Sequence, residues 1–465
     1  MPPFEPTSED LIPSPEPQFG GVIRFLVTDP PFQSALIRGN VAEGLTTDGL
    51  LLSWSRPRDG SPCWVLELNP RWVWPDGPSV RAGDLLAAWT TGLLDDSSDL
   101  HWLLDPLGDN AVTPVEVNDV NGSMRAEGRI LEVCPRRPTP DLPARFEHPA
   151  TWLQRVDPVT GLLEGPGPYR QMPDGSLSAK TDYPGDGPYV DSVVPLVVEG
   201  HSSLLLRLGD AHLAVTFGPA ADALIDDPVP ELRLERLPAW DRTYYMWMNP
   251  DERWVNDPVF RRWVAGTIDR DEMVAYLFDD RGKRAFSLSY DGSTVPVYPL
   301  RADRPLSPMT EPRLRMVYDA ADPYSETVAQ RVRAVLETQQ VELSLVPMAR
   351  DALRRALRAG DVEIALLAHR PGSEDPVLAL EGTVWWLGEG AADARALLVE
   401  ASGIESRQVA ARAEGAWKAE ELLLADARVI PLIRLHAWLA YRASLAGLDP
   451  GADGEFRLEE TWWLP

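Results

Sequence analysis

Residues 314–370 read LRMVYDAADPYSETVAQRVRAVLETQQVELSLVPMARDALRRALRAGDVEIALLAHR. LRMVYD has the apolar character of a strand. In SETVAQRVRAVLETQQ, Val328, Val332, Val335 and Leu336 recur at helical spacing and share one face. VELSLVPM alternates at Val341, Leu343 and Leu345, ARDALRRALRAG is a helix stopped by Gly360, and VEIALLAHR is a continuous apolar strand. The order β-α-β-α-β implies parallel strands buried between helices, hence an α/β fold. Ligands of such sheets bind beyond the carboxyl ends of the strands, here Asp319–Asp322 and the loop 369–373.

Upstream, residues 241–278 read DRTYYMWMNPDERWVNDPVFRRWVAGTIDRDEMVAYLF. They begin as a strand with Tyr245, Trp247 and Asn249 on one face and Tyr244, Met246 and Met248 on the other. Asp257-Pro258 opens a helix, the carboxylate as cap and the proline at the first helical position. Asp269 and Glu272 stand three apart, as in a capping box, ahead of a second short helix.

The wording of this run resembles a segment of the family 5 extracellular solute-binding proteins, the class that delivers oligopeptides, dipeptides and nickel to ABC importers. Three further segments match in order: WVLELNPRWVWPDGPSVRAGDLLAAW (64–89), GPGPYR (165–170) with YPGDGPYVDSVV (183–194), and RVIPLIRLHAWLAYRASLAG (428–447). The resemblance spans nearly the whole chain from Gly20. It implies a two-lobed, periplasmic-binding-protein-like (type II) α/β fold with a small extra subdomain inserted in the first lobe. On this reading residues 1–18 are a Pro-rich tether. Residues 19–270 and 436–465 form the first lobe, with the insert near 45–160, and 271–435 form the second.

Composition bounds the alternatives. The chain has 465 residues, a prior of roughly three domains or subdomains at about 150 residues each. Lys+Arg number 44 against 71 Asp+Glu, a net charge of −27, which repels phosphate backbones and anionic headgroups and argues against nucleic-acid partners. Cys63 and Cys134 follow no metal or redox spacing; each lies at the edge of an expected strand, and a disulfide or two unpaired thiols remain open. No stretch reaches the ~18 apolar residues of a membrane span. The start, MPPFEPTSEDLIPSPEPQ, has neither the basic opening nor the apolar core of an export signal. Two readings follow: a periplasmic or cell-surface protein whose leader is not in this sequence, or a cytoplasmic one.

The loop HRPGSEDP (369–376) is the first candidate site. In peptide binders of the resembled family this loop carries a tryptophan and, three residues later, an aspartate that pairs with the peptide amino terminus. Those positions fall here on His369 and Gly372, so the amine-pairing carboxylate is missing unless Glu374 or Asp375 replaces it. His369, Arg370, Gly372 and Ser373 then favour an anionic or hydrogen-bond-accepting ligand. The second cluster, Tyr245, Trp247 and Asn249, borders the cleft in the family; the alternative is that this face is core. Arg434, His436 and Trp438 alternate on the returning strand near the expected hinge, and Thr28 and Asp29 end the first strand.

No catalytic constellation appears. The six histidines show no pair at metal-ligand spacing, and there is no Gly-x-Ser-x-Gly elbow or P-loop. The expectation is therefore a monomeric binding protein, without cofactor or metal, that closes around a small-molecule or peptide ligand and presents it to an ABC transporter permease. The alternative in the same fold is a ligand-sensing protein acting inside the cell or as a regulatory domain. A carbohydrate hydrolase, which needs two carboxylates facing each other across a cleft, has no pattern to support it.

Overall fold

A computed structural model describes residues 17, 19–27, 30–46, 49–56, 62–108, 116–197, 205–207, 209–238, 241–279, 282–288, 313–371, 373, 375–448 and 457–464. Within them the strands gather into two large sheets, a four-stranded one and two two-stranded pairs.

The first sheet has seven strands in the order Leu232–Arg236, Ala437–Arg442, Leu213–Phe217, Val22–Val27, Ser192–Val197, Leu177–Ala179 and Tyr169–Gln171. Val22–Val27 runs parallel to both neighbours, and Ala437–Arg442 antiparallel to both of its own. Ile23, Phe25, Val193, Leu213, Val215 and Leu439 form the core on one side. The helix Pro30–Val41, which follows the first strand, was not anticipated from the sequence.

The second sheet has six strands: Lys283–Arg284, Val429–Leu435, Arg242–Met248, Ile364–His369, Arg313–Asp319 and Glu342–Met348. The β-α-β-α-β reading holds, because Arg313–Asp319 pairs in parallel with both Glu342–Met348 and Ile364–His369. Every residue of Arg242–Met248 is buried, and the two faces of the strand feed different cores. Tyr244, Met246 and Met248 pack with Val328, Val332 and Leu336; Tyr245 and Trp247 pack with Leu380, Val384 and Leu423. The helix starts follow the expected chemistry. Asp257 Oδ1 accepts from Val259 N at 2.8 Å, and Asp269 Oδ1 accepts from Asp271 N and Glu272 N at 3.0 Å. The box at Asp269 is half made, since the Glu272 carboxylate pairs instead with Arg331.

The third sheet, Leu51–Ser55, Trp64–Leu68, Ile130–Val133 and Met124–Glu127, is the expected insert. Its core holds Trp72, Leu85, Trp89 and Phe146, with Trp89 and Phe146 stacked at 5.1 Å. Trp64 stands opposite Val133 in the ladder, so Cys63 and Cys134 meet just beyond it and are joined as a disulfide.

Two segments carry the chain between the large sheets. Residues 237–241 link Leu232–Arg236 to Arg242–Met248, and His436 links Val429–Leu435 to Ala437–Arg442. The outward link precedes Arg242–Met248 and the return link precedes Ala437–Arg442. Hydrogen bonding fixes the sheet of Arg242–Met248, which is zipped between Val429–Leu435 and Ile364–His369.

Candidate ligand-binding site between the lobes

The two crossings are tied to each other. Asp241 Oδ1 accepts from Ala437 N at 3.1 Å, Asp241 Oδ2 lies 3.1 Å from His436 Nδ1, and Arg236 contacts both Asp241 and His436. Leu237 N donates to Ala437 O at 3.0 Å. Burial raises the Asp241 carboxyl, but hydrogen bonds from His436, Arg236 and Ala437 outweigh it and hold the group below its ordinary 3.8. A depressed carboxyl stabilises above its unfolded pKa and loses that contribution as pH falls through the folded value. Asp241→Asn is therefore expected to cost about 1.5 kcal/mol at neutral pH. Urea midpoints of the variant and the parent should converge in acid.

On the far side of the gap the insert is pressed against the second lobe by buried charge. Arg145, from the helix Leu142–Glu147 of the insert, donates through Nη2 to Glu381 at 2.6 Å and through Nη1 to Trp102 O at 3.1 Å. Glu381 sits on Pro376–Trp386, the helix that follows the 369–375 loop. Arg412, from Val409–Ala425, spans the seam in the other direction. Its Nη2 donates to Asp141 of the insert at 3.0 Å, and its Nε and Nη2 donate to Asp375 at 2.8 Å. The side chains of Arg145, Asp141 and Arg412 are fully buried. Beside them Trp102 and Leu103 of the insert pack on Leu378, Trp385 and Trp386.

Next to this seam lies a cavity of about 270 Å³ lined from both sides. Arg38, Trp89, Ser97, Asp99, Trp152 and Gln154 come from the first lobe and its insert, and Asp351 and Arg354 from the helix Arg350–Ala359. That helix follows the strand Glu342–Met348, so the cavity opens at a carboxyl end of the parallel strands, where such sheets take their ligands. Arg354 donates through Nη1 to Ser97 O at 2.8 Å and pairs with Asp99 at 3.2 Å. Asp99 also accepts from the indole nitrogens of Trp102 and Trp386. Burial pushes the Asp99 carboxyl up, but Arg354, His148 and the indoles bring it down to about 2. His148 is pushed down to about 4 by burial and by the charges of Arg38, Arg370 and Arg354, against the pull of Asp99.

The anticipated site residues divide accordingly. Arg370 is half-buried in the loop after Ile364–His369 and is not part of the cavity lining. Ser373 serves the turn, its Oγ accepting from Asp375 N at 3.1 Å. Gly372, Thr28 and Asp29 lie outside the described residues. His369 does not face the gap: it is 1 % exposed, its Nδ1 lies 2.7 Å from Thr383 Oγ1, and burial and Arg434 push it down to about 3. Tyr245 and Trp247 are in the core of the second lobe, because the strand is central and both of its faces are covered by helices. Asn249 closes a turn, donating to Gly360 O at 3.1 Å and accepting from Asp251 N. Arg434 is spent inside the second lobe on Thr243 Oγ1 at 2.8 Å and Leu288 O at 2.9 Å. His436 belongs to the crossing. Trp438 pairs with Thr216 and Arg236 in the first sheet.

Asp375, weighed as a replacement for the missing amine partner, caps Pro376–Trp386 through Val377 N and Leu378 N and is neutralised by Arg412. The seam residues Arg145, Asp141, Glu381 and Arg412 were not found from the sequence. The available signal was an arginine on an otherwise alanine- and leucine-rich helix face, which periodicity alone scores as exposed.

No family profile and no curated protein matches the chain. Solved structures do. The ABC transporter-associated periplasmic binding protein DppA from Helicobacter pylori, in complex with the peptide STSA, superposes with a TM-score of 0.73 at 16% identity, over 96% of this chain and 99% of its own. The murein tripeptide binding protein MppA from Escherichia coli gives 0.73 at 16% identity, over 96% and 98%. The unliganded open form of MppA gives 0.60 at 16% identity, over 97% and 99%. The fold is the two-lobed periplasmic-binding-protein fold with an inserted subdomain, as the resemblance implied.

Proposed function

We propose that the chain is the substrate-binding component of an ABC-type importer, a monomer that captures a small solute between its lobes by hinge rotation. The observation that carries this reading is the pairing of two adjacent crossings at 237–241 and His436 with a two-sided cavity on the far side of the gap. A body built this way moves about its crossings, and a solute that touches both sides stabilises the closed form through contacts absent in the open one. The solved relatives in fold are binding proteins, one of them holding a peptide.

The Cys63–Cys134 disulfide supports an extracytoplasmic location over the alternative of a sensor inside the cell, because such bonds persist in oxidising compartments. Native mass spectrometry of protein purified under mild conditions tests the reading. A bound small molecule released on unfolding is the expected result; a bare chain that no solute mixture shifts in melting temperature would set it aside.

A further inference from the structure

A consequence that rests on the solute-binding reading concerns the charge buried where the lobes meet. Two guanidinium groups cross the seam, Arg145 and Arg412, and three carboxylates meet them, Asp141, Glu381 and Asp375. The side chains of Arg145, Asp141 and Arg412 have no exposed surface, that of Glu381 has 3 % and that of Asp375 15 %. The nearest further acid, Asp105, is already paired with Arg137. The network therefore holds one negative charge in excess where there is little water to solvate it, and a single proton removes that excess.

Hydrogen bonding says which acid takes the proton. Asp375 accepts from Val377 N at 2.9 Å, from Leu378 N at 3.2 Å and from Nε and Nη2 of Arg412, so four donors satisfy it. Asp141 Oδ2 accepts from Arg412 Nη2 at 3.0 Å, and its Oδ1 stands 3.6 Å from Arg145 Nε. Glu381 has one donor among the described residues, Arg145 Nη2 on Oε2 at 2.6 Å, which leaves Oε1 for a proton. Burial, with Asp141 and Asp105 nearby, pushes the Glu381 carboxyl from its ordinary 4.5 up to about 7, against the pull of Arg145. Charged groups on the other elements packed against this helix have partners of their own. Arg354 pairs with Asp99, Arg358 lies 4.1 Å over the ring of Trp385, and Arg395 lies 3.5 Å from Glu389. Glu420 accepts from Leu288 N, and His101 Nε2 lies 3.1 Å from Asp95 O.

We propose that closing the seam takes up one proton, carried on Glu381 Oε1, so that acid favours the closed form and alkali the open one. With the lobes apart Glu381 faces water and returns to its ordinary value. The closed form then binds more protons between about 4.5 and about 7, gains stability as pH falls through that window, and has no such gain above it. Glu43, also pushed up to about 7 by burial, finds its partners Arg457 and Tyr183 on its own lobe, so its titration is common to both forms and cancels.

The test uses the full chain, freed of solute by unfolding and refolding, with spin labels at the exposed sites Val156→Cys and Val409→Cys. Between about pH 8 and about pH 5.5 the closed-to-open ratio should rise roughly 30-fold, seen as loss of the long-distance component. A carboxylic-acid carbonyl band in the infrared should titrate near neutrality. Glu381→Gln, which keeps an oxygen for Arg145 and needs no proton, should be closed at both pH values and lack the band. A mixture of distances that ignores pH, while Arg412→Ala still lengthens it, overturns the proton assignment and leaves the solute-binding reading standing. So does a pH response that survives in Glu381→Gln, or a closed parent without the band at the lower pH. One narrow distance at both pH values, in the parent and in Arg412→Ala alike, removes the hinge and the proton together.

Discussion

Replacing Arg412 with alanine is expected to destabilise the protein by about 3 kcal/mol, because it takes from the fully buried Asp141 its nearest cation and from the half-buried Asp375 its charge partner. Arg412 donates to Asp141 at 3.0 Å and to Asp375 at 2.8 Å, and its Nη1 also serves Ile404 O at 2.9 Å. Both its own side chain and that of Asp141 have no solvent exposure. Removing the guanidinium therefore costs a desolvated Asp141 its main partner, not merely a surface attraction. Urea unfolding followed by tryptophan fluorescence measures the change, since Trp102, Trp385 and Trp386 lie at the seam. Arg412→Met combined with Asp141→Leu should recover much of the loss, since an apolar pair of similar volume needs no desolvation. A single variant as stable as the parent would mean that the seam opens to water at no cost.

The second large effect belongs to the insert. Cys63 and Cys134 are 71 positions apart, and closing a loop of that length restricts the unfolded chain by about 4 kcal/mol in the chain-entropy treatment. Changing both cysteines to serine is expected to lower stability by about that amount. The loss should fall on the insert, where Trp72 and Trp89 pack, more than on the core around Tyr244 and Met246. Hydrogen exchange resolves the two regions: faster exchange in 51–55, 64–68 and 124–133 with little change in 242–248 is the expected pattern. Uniform loosening would show that insert and second lobe unfold as one unit.

How much of this was legible in the sequence follows from range. Local chemistry read well. The caps at Asp257 and Asp269, the helix stop at Gly360 and the alternation of 341–345 depend on neighbours within a few residues, and each stands where it was expected. The parallel order of 313–319, 342–348 and 364–369 also followed, because helices intervene between the strands. Strand 242–248 shows where such reading stops. Its two faces separate as expected, but nothing local says that both are covered, so Tyr245 and Trp247 could be taken for cleft walls. The sheet to which this strand belongs is hidden for a related reason: it is decided by partners about 120 and about 190 residues away.

The site was legible at its edge only. The loop after the last parallel strand comes to the seam through Asp375, while His369 turns inward to Thr383. The contacts that close the gap pair residues 236 and 271 positions apart, Arg145 with Glu381 and Arg412 with Asp141. No periodicity encodes a partnership of that kind. An arginine on an alanine-rich helix reads as a solvated face until the opposite wall is in place.

The central claim is that two bodies turn about the crossings at 237–241 and His436. The most direct measurement is the distance between spin labels at Val156→Cys on the first body and Val409→Cys on the second, both sites exposed. In the protein stripped of solute by unfolding and refolding, the account predicts a broad distribution with a long component. That component should collapse to a single shorter distance when the released solute is returned, and it should grow when Arg412→Ala is added. One narrow distance, unchanged by solute and by the seam variant, would contradict the account.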